Sequence, residues 1–373
     1  MNTIHSKTIK IVSVLILAAS LLYGKNKSSF YFNLNAAQEY HSNLYRLPDS
    51  LKKADYRFNS FIRFGYKTNW PEAKKFVNIY YENRLRRYYT YQTYSRMEHI
   101  LFAHGYLPLR SSDRLIINER LRFRDYNHSS SINSLRNIFS FYLQTAIADR
   151  LQLNSGYRHW LKRYPNNAAY QDYLSHRLFF NFYYSLNKKS KIGLRNELNW
   201  HRGNLYPYGA PKKPGANMQG FRYTAELSGN RIFAEKYFID LRYRFEWDSP
   251  QDIEAQNSGE HAGDENAEDL LAEDSDFDYV KHQLSASLLY KTAPRLSFFG
   301  FAVLQAKQFR HWRISGNGPL RSDIFSYFSL TAKYRLYKNL FAELYFNLEN
   351  NHSNHSYYQY SRYITGAGLR YKF

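Results

Sequence analysis

Tyr237-Phe-Ile-Asp-Leu-Arg-Tyr-Arg-Phe-Glu-Trp247 separates its chemistry by the parity of the residue number. Tyr237, Ile239, Leu241, Tyr243, Phe245 and Trp247 fall on one side, and Asp240, Arg242, Arg244 and Glu246 on the other. A strand places alternate side chains on opposite faces, whereas a helix advancing 100° per residue would mix the two sets. The stretch therefore predicts a β-strand with one apolar and one ionic face. Working outward, Lys191 to His201 repeats the pattern, with Ile192, Leu194, Leu198 and Trp200 opposed to Lys191, Arg195, Glu197 and His201. Phe221, Tyr223, Ala225 and Leu227 likewise oppose Arg222, Thr224, Glu226 and Ser228.

Extending the same reading gives about sixteen strands, with 14 to 18 as the range the pattern allows. They lie near 28–40, 54–69, 74–91, 96–109, 113–126, 134–149, 150–164, 171–187, 190–204, 217–230, 233–249, 276–293, 294–308, 320–338, 339–351 and 357–373. The segments around Ile100, Phe141 and Phe301 carry apolar residues on both faces, which leaves their registers open. Short turns, such as Asn69-Trp70-Pro71-Glu72, Lys188-Lys189 and Ala293-Pro294, alternate with longer polar connections, such as 41–53, 205–217 and 249–275. Many strands exceed ten residues, longer than those of a soluble sandwich but suited to a tilted membrane crossing of about 9 to 11 residues. Lipid offers no partner to an open sheet edge, so the expected fold is all-β: a closed antiparallel transmembrane β-barrel.

The segment Thr365-Gly-Ala-Gly-Leu-Arg-Tyr-Lys-Phe373 supports this reading. Phe373, Tyr371, Leu369, Ala367 and Thr365 share one face, while Lys372, Arg370, Gly368 and Gly366 share the other. The arrangement Gly368-x-x-Tyr371-x-Phe373 resembles the C-terminal assembly signal of bacterial outer-membrane β-barrel proteins. That resemblance implies a protein of a Gram-negative-type bacterium, located in the cell outer membrane after export through the periplasm. It also implies recognition by barrel-assembly machinery, contact with outer-membrane lipid, and an assembly role for Gly368, Tyr371 and Phe373.

The N-terminal region agrees. Lys7 and Lys10 precede an apolar run from Ile11 to Leu22, too short to span a bilayer and built like a secretory h-region. The expected organisation is a signal peptide over 1–24, followed by a barrel domain over 25–373 with an acidic extracellular loop at about 249–275. Cysteine is absent, which excludes thiol catalysis, Cys-containing zinc sites and disulfides. Aromatic residues make up 18% of the chain, with 37 Tyr and 27 Phe, as interfacial girdles require.

The formal charge of +21 does not point to nucleic acid, because the basic residues recur at period two within strands instead of forming a compact cluster. If the apolar face meets lipid, the opposite face lines the lumen. Its expected pore-lining cations include Arg57, Arg63, Arg84, Arg86, Arg120, Arg122, Arg124, Arg158, Arg195, Arg242, Arg244, Lys333 and Arg335. Lys67, Arg177, Arg222, Arg362 and Arg370 share that face, and the inward acids read from the pattern are Glu82, Glu197, Glu226, Asp240, Glu246, Glu343 and Glu349. A cationic wall focuses field into the pore and favours anions. One segment runs the other way: from Glu246 to Asp278 there are thirteen carboxylates and no Lys or Arg. Inward Tyr31, Tyr142, Tyr183, Tyr327 and Tyr345 could narrow a channel or provide a sugar-stacking surface, but packing against the wall is the reading expected of them.

Catalysis is not expected. His41-Ser42-Asn43, His128-Ser129-Ser130 and His352-Ser353-Asn354-His355 are loop combinations of common polar residues, and neither Gly-x-Ser-x-Gly nor His-Glu-x-x-His occurs. No cofactor or metal site is expected. The function predicted is a porin-like channel for passive diffusion of small, anionic solutes. The alternative is a non-conducting barrel acting in surface binding, adhesion or secretion-complex docking. Oligomeric state is not readable from the pattern.

Overall fold

Each alternating stretch forms a strand of 13 to 18 residues. In chain order these are β1 (Lys27–His41), β2 (Asp55–Trp70), β3 (Lys75–Tyr88), β4 (Arg96–Pro108), β5 (Asp113–Tyr126), β6 (Ser134–Ala148), β7 (Leu151–Arg163) and β8 (Tyr173–Asn187). They continue as β9 (Ser190–Gly203), β10 (Met218–Phe233), β11 (Tyr237–Pro250), β12 (Tyr279–Ala293), β13 (Leu296–Arg313), β14 (Leu320–Arg335), β15 (Leu340–Ser353) and β16 (Tyr360–Lys372). The computed structural model describes residues 27–43, 53–71, 74–110, 112–126, 133–165, 173–203, 218–250, 278–313 and 318–373. The expected signal peptide at 1–24 and all but the first two residues of the acidic 249–275 connection lie outside them.

Every strand pairs antiparallel with its sequence neighbours, and β1 pairs with β16, so the sheet closes into a barrel of sixteen strands. At the seam, Asn33 sits opposite Lys372 and His41 opposite Ile364. The Phe373 N–H donates to Phe32 O at 2.8 Å, and the Phe32 N–H donates to Phe373 O at 3.0 Å. The final residue thus carries the ladder to its end, while its ring points outward and is 76% exposed. Short connections gather at one rim, where the start of β1 and the end of β16 also lie, and long ones gather at the other.

The exterior carries the apolar half of the alternation. Leu198, Leu241, Leu284, Leu304 and Leu344 project from it and are largely exposed. Aromatic pairs flank this band: Tyr237 stacks on Tyr290 at 4.6 Å and Phe30 meets Tyr66 at 5.0 Å toward the short-connection rim. Tyr40 meets Tyr56 at 5.1 Å and Tyr363 at 5.7 Å toward the other. A continuous apolar belt between two aromatic girdles is a surface for lipid. The strands with open registers settle by pairing. Ile100 faces inward and is buried, Phe141 faces outward, and Phe301 faces inward beside Tyr327 at 6.0 Å.

Candidate functional site: a cationic lumen

On the inner face, sequence spacing and cross-strand register combine into a repeated unit. Arg63 on β2 lies directly opposite Glu82 on β3, and Arg84 follows two residues later on the same face. Glu82 accepts from Arg63 Nε at 2.6 Å, pairs with its Nη2 at 2.5 Å, and also accepts from Arg84. Its side chain is 0% exposed, whereas those of Arg63 and Arg84 are 28% and 24% exposed. The acid therefore lies beneath two guanidiniums that keep atoms toward the lumen.

The unit recurs around the barrel. Glu343 on β15 faces Lys333 on β14 and pairs with it at 3.5 Å, and with Arg370 on β16 at 3.0 Å. Glu197 on β9 pairs with Arg177 at 2.9 Å and Arg195 at 2.6 Å. Toward the long-connection rim, Glu98 on β4 gathers Arg96 at 2.9 Å, Arg124 at 3.2 Å and Arg122 at 3.7 Å. Toward the same rim on the opposite arc, Glu246 takes Lys281 at 3.1 Å, Arg222 at 3.6 Å and the Tyr279 hydroxyl. Arg222 also reaches Asp248 at 2.8 Å. Sharing one carboxylate between two or three cations pairs the buried acid and leaves the Glu82, Glu343, Glu197 and Glu98 units positive, whereas Glu246 and Asp248 together balance Arg222 and Lys281.

All thirteen cations named from the pattern as pore-lining point inward by register, and the structure sorts them into two environments. Arg57, Arg86, Arg122 and Arg124 are buried against neighbouring side chains. Arg57 donates to Glu39 at 2.7 Å and to the Tyr88 hydroxyl at 2.7 Å. Arg63, Arg84, Arg120, Arg158, Arg195, Arg244 and Lys333 are half-buried, while Arg242 and Arg335 are exposed to the lumen. Arg244 pairs with Glu226 at 3.1 Å and Arg242 with Asp240 at 2.7 Å. Arg158 lies over the Phe179 ring at 5.8 Å, and Arg335 over Phe341 at 5.9 Å.

The inventory of inward charges read from the pattern is incomplete on both sides. Glu39, Glu98 and Asp248 join the acids, and Arg96, Arg136, Lys281, Lys307 and Lys372 join the cations. Arg96-x-Glu98 carries the period-two signal, but the mixed faces of β4 obscure it. Lys307 lies 4.5 Å over the Tyr279 ring, and Arg321, which pairs with Asp323 at 2.6 Å, lies 4.5 Å over Phe309.

The inward tyrosines lie against the wall. Tyr31, Tyr142, Tyr183 and Tyr345 sit opposite Gly65, Gly156, Gly193 and Gly366 across the strands. A Cβ added at Gly65 would fall 2.1 Å from Tyr31 Cζ, and one at Gly366 2.5 Å from Tyr345 Cζ, so the missing side chains make room for the rings. Tyr31 donates to Asn78 at 2.9 Å and Tyr345 to Glu39. These contacts hold both rings in the wall.

The His-containing fragments brace loops. His41 lies between Glu39 at 3.1 Å and Arg362, and the Ser42 hydroxyl accepts from the Tyr363 N–H at 2.8 Å. Asn354 accepts from the Ser322 N–H at 2.9 Å, and the Ser353 hydroxyl from the His355 N–H at 3.1 Å. His128-Ser129-Ser130 lies outside the described residues. Among the described residues, no group of three or more His, Asp or Glu side chains is arranged to hold a metal ion.

A cavity of about 520 Å³ opens inside the barrel along an arc running from β12 through β16 and β1 to β3. Lys333, Arg370 and Arg84 border it together with Glu39, Phe61 and Phe299.

An apolar belt outside, an ionic wall inside and a closed ladder define a membrane-spanning β-barrel of the bacterial outer-membrane type. No protein-family model and no curated protein matches the sequence. Among solved structures, OccAB1 of Acinetobacter baumannii is similar with a TM-score of 0.52 and 8% identity, over 93% of this chain and 97% of that one. The outer membrane channel DcaP of Acinetobacter baumannii gives 0.51 and 10% identity, over 94% and 99%. The likeness is one of architecture.

Proposed function

We propose that the chain is a porin-like outer-membrane channel through which small anionic solutes diffuse passively, without catalysis and without a cofactor. The observation that carries this reading is the inner-face unit in which a buried carboxylate holds two cations toward the lumen. Its acid is desolvated and shared, so the field reaching the lumen is positive and favours anions over cations. Arg63, Arg84, Arg242, Arg244, Lys333 and Arg335 set that field. The buried Arg57, Arg86, Arg122 and Arg124 shape it from behind neighbouring side chains. Outer-membrane lipid covers the apolar belt, and barrel-assembly machinery reads the terminal strand.

Purified, folded protein in a planar bilayer under a salt gradient tests the reading. Reversal potentials should show anion preference. Arg242→Gln combined with Arg335→Gln should move them toward cations, more at low salt because screening is weaker there. Cation preference in the unmodified protein, or no shift in the double variant, would count against it.

One observation favours a non-conducting barrel. Toward the long-connection rim Arg86, Arg96, Tyr88, Tyr279, Phe309 and His201 are fully buried, as an interior packed with side chains would have them. Folded barrels that pass no current would select that reading, with surface binding or docking as the role.

A further inference from the structure

The cavity has two chemically distinct walls. One is cationic: Lys333 and Arg370 flank Glu343, which is 11% exposed while they keep 27% and 30%. Lys372 and Arg335 lie over the neighbouring Phe341 ring, both at 5.9 Å, and Lys333 at 4.4 Å. Two cations thus pair with the one acid, and two more gather over the ring beside it.

The other wall is apolar. Leu289 on β12 pairs with Phe299 on β13, which pairs with Thr331 on β14, two residues from Lys333. Phe299 is on the inner face yet 42% exposed, whereas the inward Ile100, Phe179, Val303 and Phe309 are buried. An apolar ring left facing an aqueous lumen is unfavourable unless something apolar covers it. Its diagonal relation to Lys333 places the two side chains about 7 to 8 Å apart at their bases, the span of a small amphiphilic molecule.

We propose that this cavity is a binding subsite for small organic anions with an apolar body, carboxylates in particular. The carboxylate sits between Lys333 and Arg370, and the body packs on Phe299 and Leu289. Arg370 offers the planar donor geometry that carboxylates match, and its side chain, 30% exposed, borders the cavity. The inference deepens the channel reading and rests on solutes reaching the lumen.

Benzoate and acetate are the probes, because they share the carboxylate and differ in the ring. With the unmodified protein in a planar bilayer, benzoate should reduce the ionic current at concentrations at least about tenfold below those at which acetate does, as burial of a ring predicts. Phe299→Ser should erase most of that ratio and Phe299→Leu should keep it. Lys333→Gln combined with Arg370→Gln should weaken both probes together. Heat-modifiable electrophoretic mobility checks that each variant is folded. Equal potency of benzoate and acetate on the unmodified protein, or an unchanged ratio in a folded Phe299→Ser variant, overturns the subsite. Titration calorimetry of detergent-folded protein with the same probes separates the two readings. Preferential benzoate binding by a barrel that passes no current would reject the channel and retain the subsite.

Discussion

Replacing Glu82 with Gln should weaken the barrel and strengthen its anion preference at once. Glu82 is fully buried between Arg63 at 2.5 Å and Arg84, and Gln keeps its shape while removing its charge. Removing one partner of a buried ion pair costs about 3 to 5 kcal/mol. Both guanidiniums are about one-quarter exposed, at 28% and 24%, and lumen water screens their new repulsion, which lowers the expected cost to about 2 to 3 kcal/mol. The effect on permeation is smaller. A unit charge about 8 Å from a permeating ion contributes about 0.5 kcal/mol in bulk-like water, and physiological salt cuts this to roughly 0.2 kcal/mol. The sign is opposite for anions and cations, so their permeability ratio should move toward anions by about twofold, and further at low salt. Denaturant unfolding in lipid vesicles reads the first quantity, and the reversal potential under a salt gradient reads the second. A double-mutant cycle with Arg84→Gln should show coupling, since the repulsion needs both guanidiniums. Unchanged stability would refute the anchoring role of Glu82. A selectivity that stays constant or moves toward cations would refute its place beneath a lumen-facing pair.

Two further expectations concern the wall. Leu241→Arg should cost about 2 to 4 kcal/mol if the site lies at the bilayer midplane, because a charge then faces lipid, while Arg242→Leu one residue along should cost less. Equal penalties in a matched vesicle unfolding assay would reverse the two faces. Deleting Phe373 should lower the yield of heat-modifiable barrel in the outer-membrane fraction, since it removes both backbone bonds to Phe32 and the terminal outward ring. Undiminished assembly would show that the seam closes without it.

Much of the fold was legible in the sequence because membrane crossing imposes a local rule. Period two assigns a face to each residue from its own neighbours, so Leu241 outward and Arg242 inward follow from one eleven-residue segment. The alternation of short and long connections then carries the strand count. The rule fades where both faces are apolar, as around Ile100, and there it hid Arg96 and Glu98. It also says nothing about partners. Glu39 and Tyr345 are 306 residues apart in the chain and meet only because β1 closes against β16. Whether Lys333 faces Glu343 or slips past it depends on register, which is set by ladder bonds between separate segments. By itself, the sequence determined the class of barrel and the sign of its inner face, since both are sums over local alternation. Only the tertiary structure decided which carboxylate anchors which cations, which arginines are buried, and that Phe299 stays uncovered beside Lys333. Those properties arise from side chains on different strands, brought to one depth by closure of the sheet.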